Sequence, residues 1–73
     1  MIEKIRDFFE GEYQGLVETN KRKMNWFNLK EGKRECISRM LGVAYFAQNF
    51  DGVNFNDIET LYNEYKAKVE AIE

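Results

Sequence analysis

The chain has 73 residues, of which 44% are hydrophobic and 15% aromatic, and a formal net charge of −2. This length allows one domain, and the apolar content is too high for a disordered segment. One cysteine and no histidine are present, which excludes an intramolecular disulfide and removes the commonest metal ligand and the commonest general base. We therefore expect no metal and no cofactor, and a reducing cytoplasm suits the lone thiol.

The first segment predicts a helix from about residue 2 to 20, because its apolar residues recur at steps of three and four. Gly11 and Gly15 interrupt this pattern, and each costs about 1 kcal/mol relative to alanine in a helix. Two consequences are open at this point. The glycines break the segment and add a fourth short helix, or, being four residues apart, they let another backbone approach closely.

Residues 20–28 show no helical pattern, and they predict a connection of about nine residues. Asn28 and Glu31 have the spacing of a capping box, which predicts that a second helix begins near Leu29. A start nearer Lys33 is the alternative, since a glycine precedes that position.

The second helix is the most hydrophobic part of the chain, with no polar residue between Met40 and Ala47. A helix that is apolar on every side is normally covered on every side. We therefore expect it to contact both other helices and a second chain. Gly42, Ala44 and Ala47 are small enough to permit a close crossing. The turn residues 50–52 predict that the helix ends near Asn49.

The third segment has the clearest helical pattern. Asn54 or Asn56 caps its start, and Glu64 and Lys68 have the spacing of a favourable ion pair. Its apolar stripe consists of Ile58, Leu61, Tyr62, Tyr65, Val69 and Ile72. The three segments predict an all-α fold, a small antiparallel three-helix bundle with residues 1–73 as a single domain.

Charge is distributed unevenly along the chain. Residues 1–20 carry two basic and five acidic side chains, residues 21–39 seven and two, and residues 40–73 two and six. Such a field bears on partners rather than on fold. The candidate contacts for nucleic acid or an acidic partner are Lys21, Arg22, Lys23, Lys30, Lys33 and Arg34. An acidic pI near 5.2 argues against a dedicated nucleic-acid domain. The alternative is that these lysines and arginines only keep a loop solvated and neutralise nearby glutamates.

Catalytic residues are hard to find in this sequence. Without histidine, catalysis would rest on carboxylates or on Cys36, which lies near the apolar stripe and has no histidine to activate it. Four glutamates are better explained as solvated helix faces: Glu10, Glu12, Glu59 and Glu64. The spacing of Gly11 and Gly15 does not indicate a membrane helix, because the residues between them are not apolar. The turn around Asp51 and Gly52 lacks the ligand positions of a calcium loop. We expect no small-molecule substrate and no membrane partner.

The aromatic residues predict an interface. Three short helices must cover eleven aromatic side chains, and the surplus that two neighbours leave exposed marks an interaction site. Aromatic side chains are frequent anchors of interfaces. The candidate interface residues are Trp26, Phe27, Phe46, Phe50 and Phe55. For Trp26 and Phe27, folding into the core is the alternative.

Three functional hypotheses follow, the first of which we favour. It is a non-enzymatic cytoplasmic module that binds itself, as a homodimer, or another protein. The alternative is a nucleic-acid-associated accessory protein of phage or mobile-element type that uses residues 21–39. The third is an inhibitor that docks its acidic helices onto a nucleic-acid-binding enzyme. Small helical chains of this kind are common in bacteria and phages, so we expect such an origin.

Overall fold

The computed structural model describes all 73 residues and contains three α-helices, α1 Ile2–Arg22, α2 Leu29–Ala47 and α3 Phe55–Glu70. Each helix packs against the other two, and the two short connections make successive helices antiparallel. The bundle is elongated, with extents of 44 × 17 × 16 Å. The predicted all-α three-helix bundle is confirmed. None of its helices combines the length and the hydrophobicity that a bilayer crossing requires.

Helix α1 runs without a break through both of its glycines. A Cβ atom added at Gly11 or Gly15 would meet nothing within 4 Å. The alternative of a fourth helix is therefore wrong, and no close backbone approach to these glycines occurs within this chain. The inward stripe of Ile5, Phe9 and Leu16 is buried, and this tertiary packing outweighs the weak helix propensity of two exposed glycines.

The connection between α1 and α2 is shorter than predicted because α1 extends to Arg22. Helix α1 ends where Lys23 adopts a left-handed backbone conformation with φ of 51°. The backbone N–H of Lys23 donates a hydrogen bond to the carbonyl of Asn20. At the start of α2, the side chain of Asn28 accepts a hydrogen bond from the backbone N–H of Glu31. The predicted cap at Asn28 is confirmed, and the later start of the helix is wrong.

The connection between α2 and α3 follows turn and cap chemistry. Helix α2 ends at Ala47, two residues before the predicted Asn49. Gly52 has a φ of 82°, a backbone conformation that glycine adopts without steric cost. Asn54 then caps α3 by accepting a hydrogen bond from the backbone N–H of Asn56 at 2.7 Å.

The core is one continuous cluster with contributions from all three helices. Its buried residues are Ile5, Phe9, Leu16, Cys36, Met40, Ala44, Ala47, Ile58, Leu61, Tyr65 and Val69. Cys36 is fully buried, and burial raises the pKa of its thiol. Every buried side-chain nitrogen and oxygen has a hydrogen-bond partner. The core therefore holds no unsatisfied polar side chain.

Candidate functional site

Five aromatic side chains are exposed at the end of the bundle where α2 ends and α3 begins. Their exposed fractions are 38% for Phe8, 59% for Tyr45, 65% for Phe46, 41% for Phe50 and 54% for Phe55. We call these five residues the aromatic face. The exposure predicted for Phe46, Phe50 and Phe55 is confirmed. Phe8 was not predicted, although adjacent helical residues point about 100° apart, so Phe8 and the buried Phe9 cannot both face the core.

Helix α2 exposes aromatic residues because two neighbours cover only part of its circumference. In its C-terminal half, Ala44 and Ala47 are buried, whereas Gly42, Tyr45 and Phe46 face solvent. The predicted contact of α2 with both neighbours is confirmed. A Cβ atom at Gly42 would meet nothing within 4 Å, so the predicted close crossing there does not occur within this chain.

Two grooves lie on either side of the exposed ridge of α2. The groove between α1 and α2 has a volume of about 280 Å³ and includes Phe8, Val43, Phe46 and Phe50 in its walls. The rings of Phe46 and Phe50 pack edge to face with centroids 5.0 Å apart. The groove between α2 and α3 has a volume of about 210 Å³ and includes Tyr45, Phe55 and Tyr62. The aromatic face is thus a ridge with an apolar groove on each side.

Trp26 and Phe27 do not belong to the aromatic face. They lie in the connection between α1 and α2 at the opposite end of the bundle, roughly 28 Å away along the 19 residues of α2. Phe27 is half-buried, packs against the core, and lies within 3.0 Å of the Cβ position of Gly32. It anchors the connection and is not an exposed interface residue. Trp26 is 74% exposed, with its ring edge-on to Phe27 at 6.1 Å.

The predicted basic contacts lie at the end of α1, in the connection that carries Trp26 and in the first two turns of α2. Lys33 donates a hydrogen bond to the backbone carbonyl of Glu70 at 2.9 Å, and Arg34 pairs with Glu31 at 2.5 Å. The other four predicted cations form no ion pair. They are Lys21, Arg22, Lys23 and Lys30, and together with Trp26 we call them the cationic surface.

Two ion pairs join α1 to the other helices, so Glu12 and Glu64 do more than solvate helix faces. Arg39 of α2 donates a hydrogen bond to Glu12, and this bond raises the pKa of Arg39. Arg6 pairs with Glu64 of α3 at 3.4 Å. Glu64 therefore does not form the predicted pair with Lys68. Both arginines and Glu64 are exposed and Glu12 is half-buried, so the pairs contribute little stability, and they join neighbouring helices.

A hydrogen bond from Tyr65 to Glu10 also joins α1 to α3, with 2.6 Å between the two oxygens. The hydrogen bonds from Tyr65 and Gln14 lower the pKa of Glu10, and the bond to Glu10 raises the pKa of Tyr65. Both shifts move the groups away from neutral pH, whereas a general acid or base needs a pKa near it. The Nζ atom of Lys68 lies 4.6 Å from the centroid of the Tyr65 ring. The group of Glu10, Tyr65 and Lys68 is therefore a structural contact between α1 and α3.

No group of three or more metal-ligating side chains lies close together in the chain. Comparison with known proteins gives no matching family model, no matching curated protein and no matching solved structure. Function is therefore inferred from the geometry of this chain alone. That geometry offers two candidate sites, the aromatic face and the cationic surface, at opposite ends of the bundle.

Proposed function

We propose that this protein is a non-enzymatic interaction module that self-associates through the aromatic face. The observation that supports this proposal is the exposure of five aromatic side chains at one end of so small a domain. A chain of this size buries only about 60% of the surface that its unfolded form exposes. A second copy on the aromatic face would add the apolar burial that one chain lacks. The single buried thiol suits a reducing cytoplasm, which is the compartment we propose.

The area of the aromatic face is close to what an interface needs. A fully exposed aromatic side chain presents about 200 Å². The exposed fractions of the five rings then amount to roughly 500 Å² in each copy. Two copies would remove about 1,000 Å² of aromatic surface from water, which is near the lower limit for a specific interface. Neighbouring apolar atoms in the two grooves extend this area.

Light scattering coupled to size exclusion tests the proposal. We expect a dimer at tens of micromolar and a shift to monomer for Tyr45→Ser and Phe46→Ser, because these substitutions remove the most exposed rings of the face. Trp26→Ser is the matched control, since it removes an even more exposed ring at the other end and should leave the dimer intact. Circular dichroism would verify that each variant is helical. A monomeric wild-type protein at these concentrations contradicts self-association.

We propose binding of single-stranded nucleic acid as the second candidate function. It is supported by the cationic surface, where four cations that form no ion pair lie at the two helix ends joined by the connection that carries Trp26, the most exposed aromatic residue of the chain. Single strands are held by cations that contact phosphates and by aromatic rings that stack on bases, at about 1–3 kcal/mol per stacked base. The remainder of the chain carries net negative charge, which repels phosphates, so such binding would be confined to this end of the bundle.

Fluorescence of Trp26, the only tryptophan, measures this binding directly. Addition of a short single-stranded DNA or RNA at low salt should quench it, and affinity should fall as salt rises. Neutralising Lys21, Arg22 and Lys23 to glutamine should abolish the effect. Neutralising Lys4 and Lys66, which lie outside the cationic surface, should not. Unchanged fluorescence with single- and double-stranded nucleic acid at low salt would remove this candidate.

A further inference from the structure

We infer that two copies pair through the outer face of α2, with the two helices antiparallel and crossing at Gly42. This inference rests on the proposed self-association and specifies its geometry, a symmetric dimer with its two-fold axis beside Gly42. The outer face of α2 is a stripe of exposed residues at helical spacing. They are Arg34, Ser38, Gly42 and Tyr45, and the exposed Asn49 follows them in the connection just after α2.

Gly42 is the position where a second helix can approach α2 most closely. It is exposed, and no atom lies within 4 Å of its Cβ position, so no part of its own chain explains a glycine there. Gly11 and Gly15 in α1 are equally open, but Gly15 has no large apolar side chain one turn away, and Gly11 has only that of Phe8. Gly42 has two large exposed aromatic side chains one turn away on the same surface, those of Tyr45 and Phe46.

Shape favours the antiparallel orientation. When two antiparallel helices cross at Gly42, a residue four positions after the crossing faces the residue four positions before it in the other copy. Phe46 therefore faces Ser38 of the partner subunit, and the large ring fills the space beside the small side chain. A parallel pair would place Phe46 against its own copy and leave two serines opposite each other, which packs poorly.

Charge favours the same orientation. Residues 29–39 of α2 carry four basic and two acidic side chains, residues 40–47 carry none, and Asp51 follows in the connection. The antiparallel pair places the cationic start of one helix beside the negative dipole end of the other, close to its Asp51. Arg34 then lies near Asp51 of the partner subunit. A parallel pair would place the two cationic halves together.

Engineered cysteines test the crossing point and the orientation. Gly42→Cys should form a disulfide-linked dimer under mild oxidation, because the two thiols meet at the axis. Wild type, whose Cys36 is buried, and Gly15→Cys are the controls that should remain uncrosslinked. With a short bifunctional thiol reagent, Glu35→Cys mixed with Asn49→Cys should give the mixed dimer, and each variant alone should give little product.

A second substitution keeps the inference falsifiable without cysteine chemistry. Gly42→Gln should fold, because its side chain enters open space in the single chain, but it should raise the dimer dissociation constant at least tenfold by blocking the close crossing. Gly15→Gln makes the same change at an open glycine in α1. It should leave the dissociation constant within twofold of wild type.

The outcomes separate this inference from the proposal on which it rests. A monomeric wild type overturns both. A dimeric wild type in which Gly42→Cys crosslinks no better than Gly15→Cys, or in which Gly42→Gln dimerises normally, overturns the α2 crossing and leaves self-association standing. Homodimers from Glu35→Cys alone and Asn49→Cys alone would show the parallel orientation and overturn the antiparallel one.

Discussion

The two ends of the bundle differ in how they bury the aromatic residues of their connections. At the cationic end, Phe27 lies against Gly32, whose missing side chain leaves room for the ring, and only Trp26 stays exposed. At the aromatic end, the nearby glycines have no atom within 4 Å of their Cβ positions, so they seat no ring. Phe46 and Phe50 remain outside the core. The half-buried position of Phe27 thus goes with the space that Gly32 leaves beside its ring, and the exposed rings at the other end have no such neighbour.

The largest expected effect is a difference in stability between substitutions in the core and substitutions on the aromatic face. Phe9→Ala should lower the free energy of unfolding by about 3–5 kcal/mol, because Phe9 is fully buried. That is most of the stability expected of so small a domain, and the variant should be largely unfolded. Phe46→Ala should change the value by less than about 0.5 kcal/mol in dilute monomer. Urea unfolding followed by circular dichroism measures both, and equal losses would contradict the distinction.

An intermediate effect on stability tests the packing of the Phe27 ring against Gly32. Gly32→Ala places a Cβ atom 2.9 Å from both the Phe27 ring and the side chain of Leu16, and we expect a net loss of about 1 kcal/mol from overpacking. Gly15→Ala, in open space, should instead gain up to about 1 kcal/mol from helix propensity. Thermal unfolding gives both signs. In a Phe27→Ala background, Gly32→Ala should cost less, and an unchanged cost would show that the ring does not depend on Gly32.

The smallest effect lies between the two ends, in the bond from Tyr65 to Glu10. The pKa of Glu10 is lowered from 4.5, so its contribution to stability is present above that pH and is lost as the pH falls through the folded-state pKa. The pKa of Tyr65 is raised from 10.0, so its contribution is present below that pH and is lost as the pH rises through the folded-state pKa. The stability difference between wild type and Tyr65→Phe should therefore shrink at both extremes. A difference that stays constant into acid would exclude the bond as its source.

Much of the fold could be predicted because the signals that set it are local. Apolar spacing located three helices, and the side chain of Asn28 located the start of the second within one residue. The alternative of a fourth helix does not occur, because the local cost of two glycines is offset by a buried stripe whose contacts involve the other helices. The pairs of Arg39 with Glu12 and Arg6 with Glu64 depend on helix rotation and register, which no local pattern specifies.

The candidate site was only partly predictable for the same reason. The apolar circumference of α2 required that one face stay uncovered by two neighbours, and Phe46 lies on that face. The separation of Trp26 from the aromatic face follows from the antiparallel order of the helices. The burial of Phe27 does not, because it depends on the contact with Gly32 across the connection.

The inaccessibility of Cys36 has a practical consequence for measuring motion. An alkylating reagent in solution reaches the single thiol only after the helices separate, so its rate of labelling reports how often the molecule opens. Because the protein has one cysteine, the mass of each labelled molecule counts one such event. A labelling rate that slows as protein concentration rises would show that association suppresses opening, without any probe having been introduced.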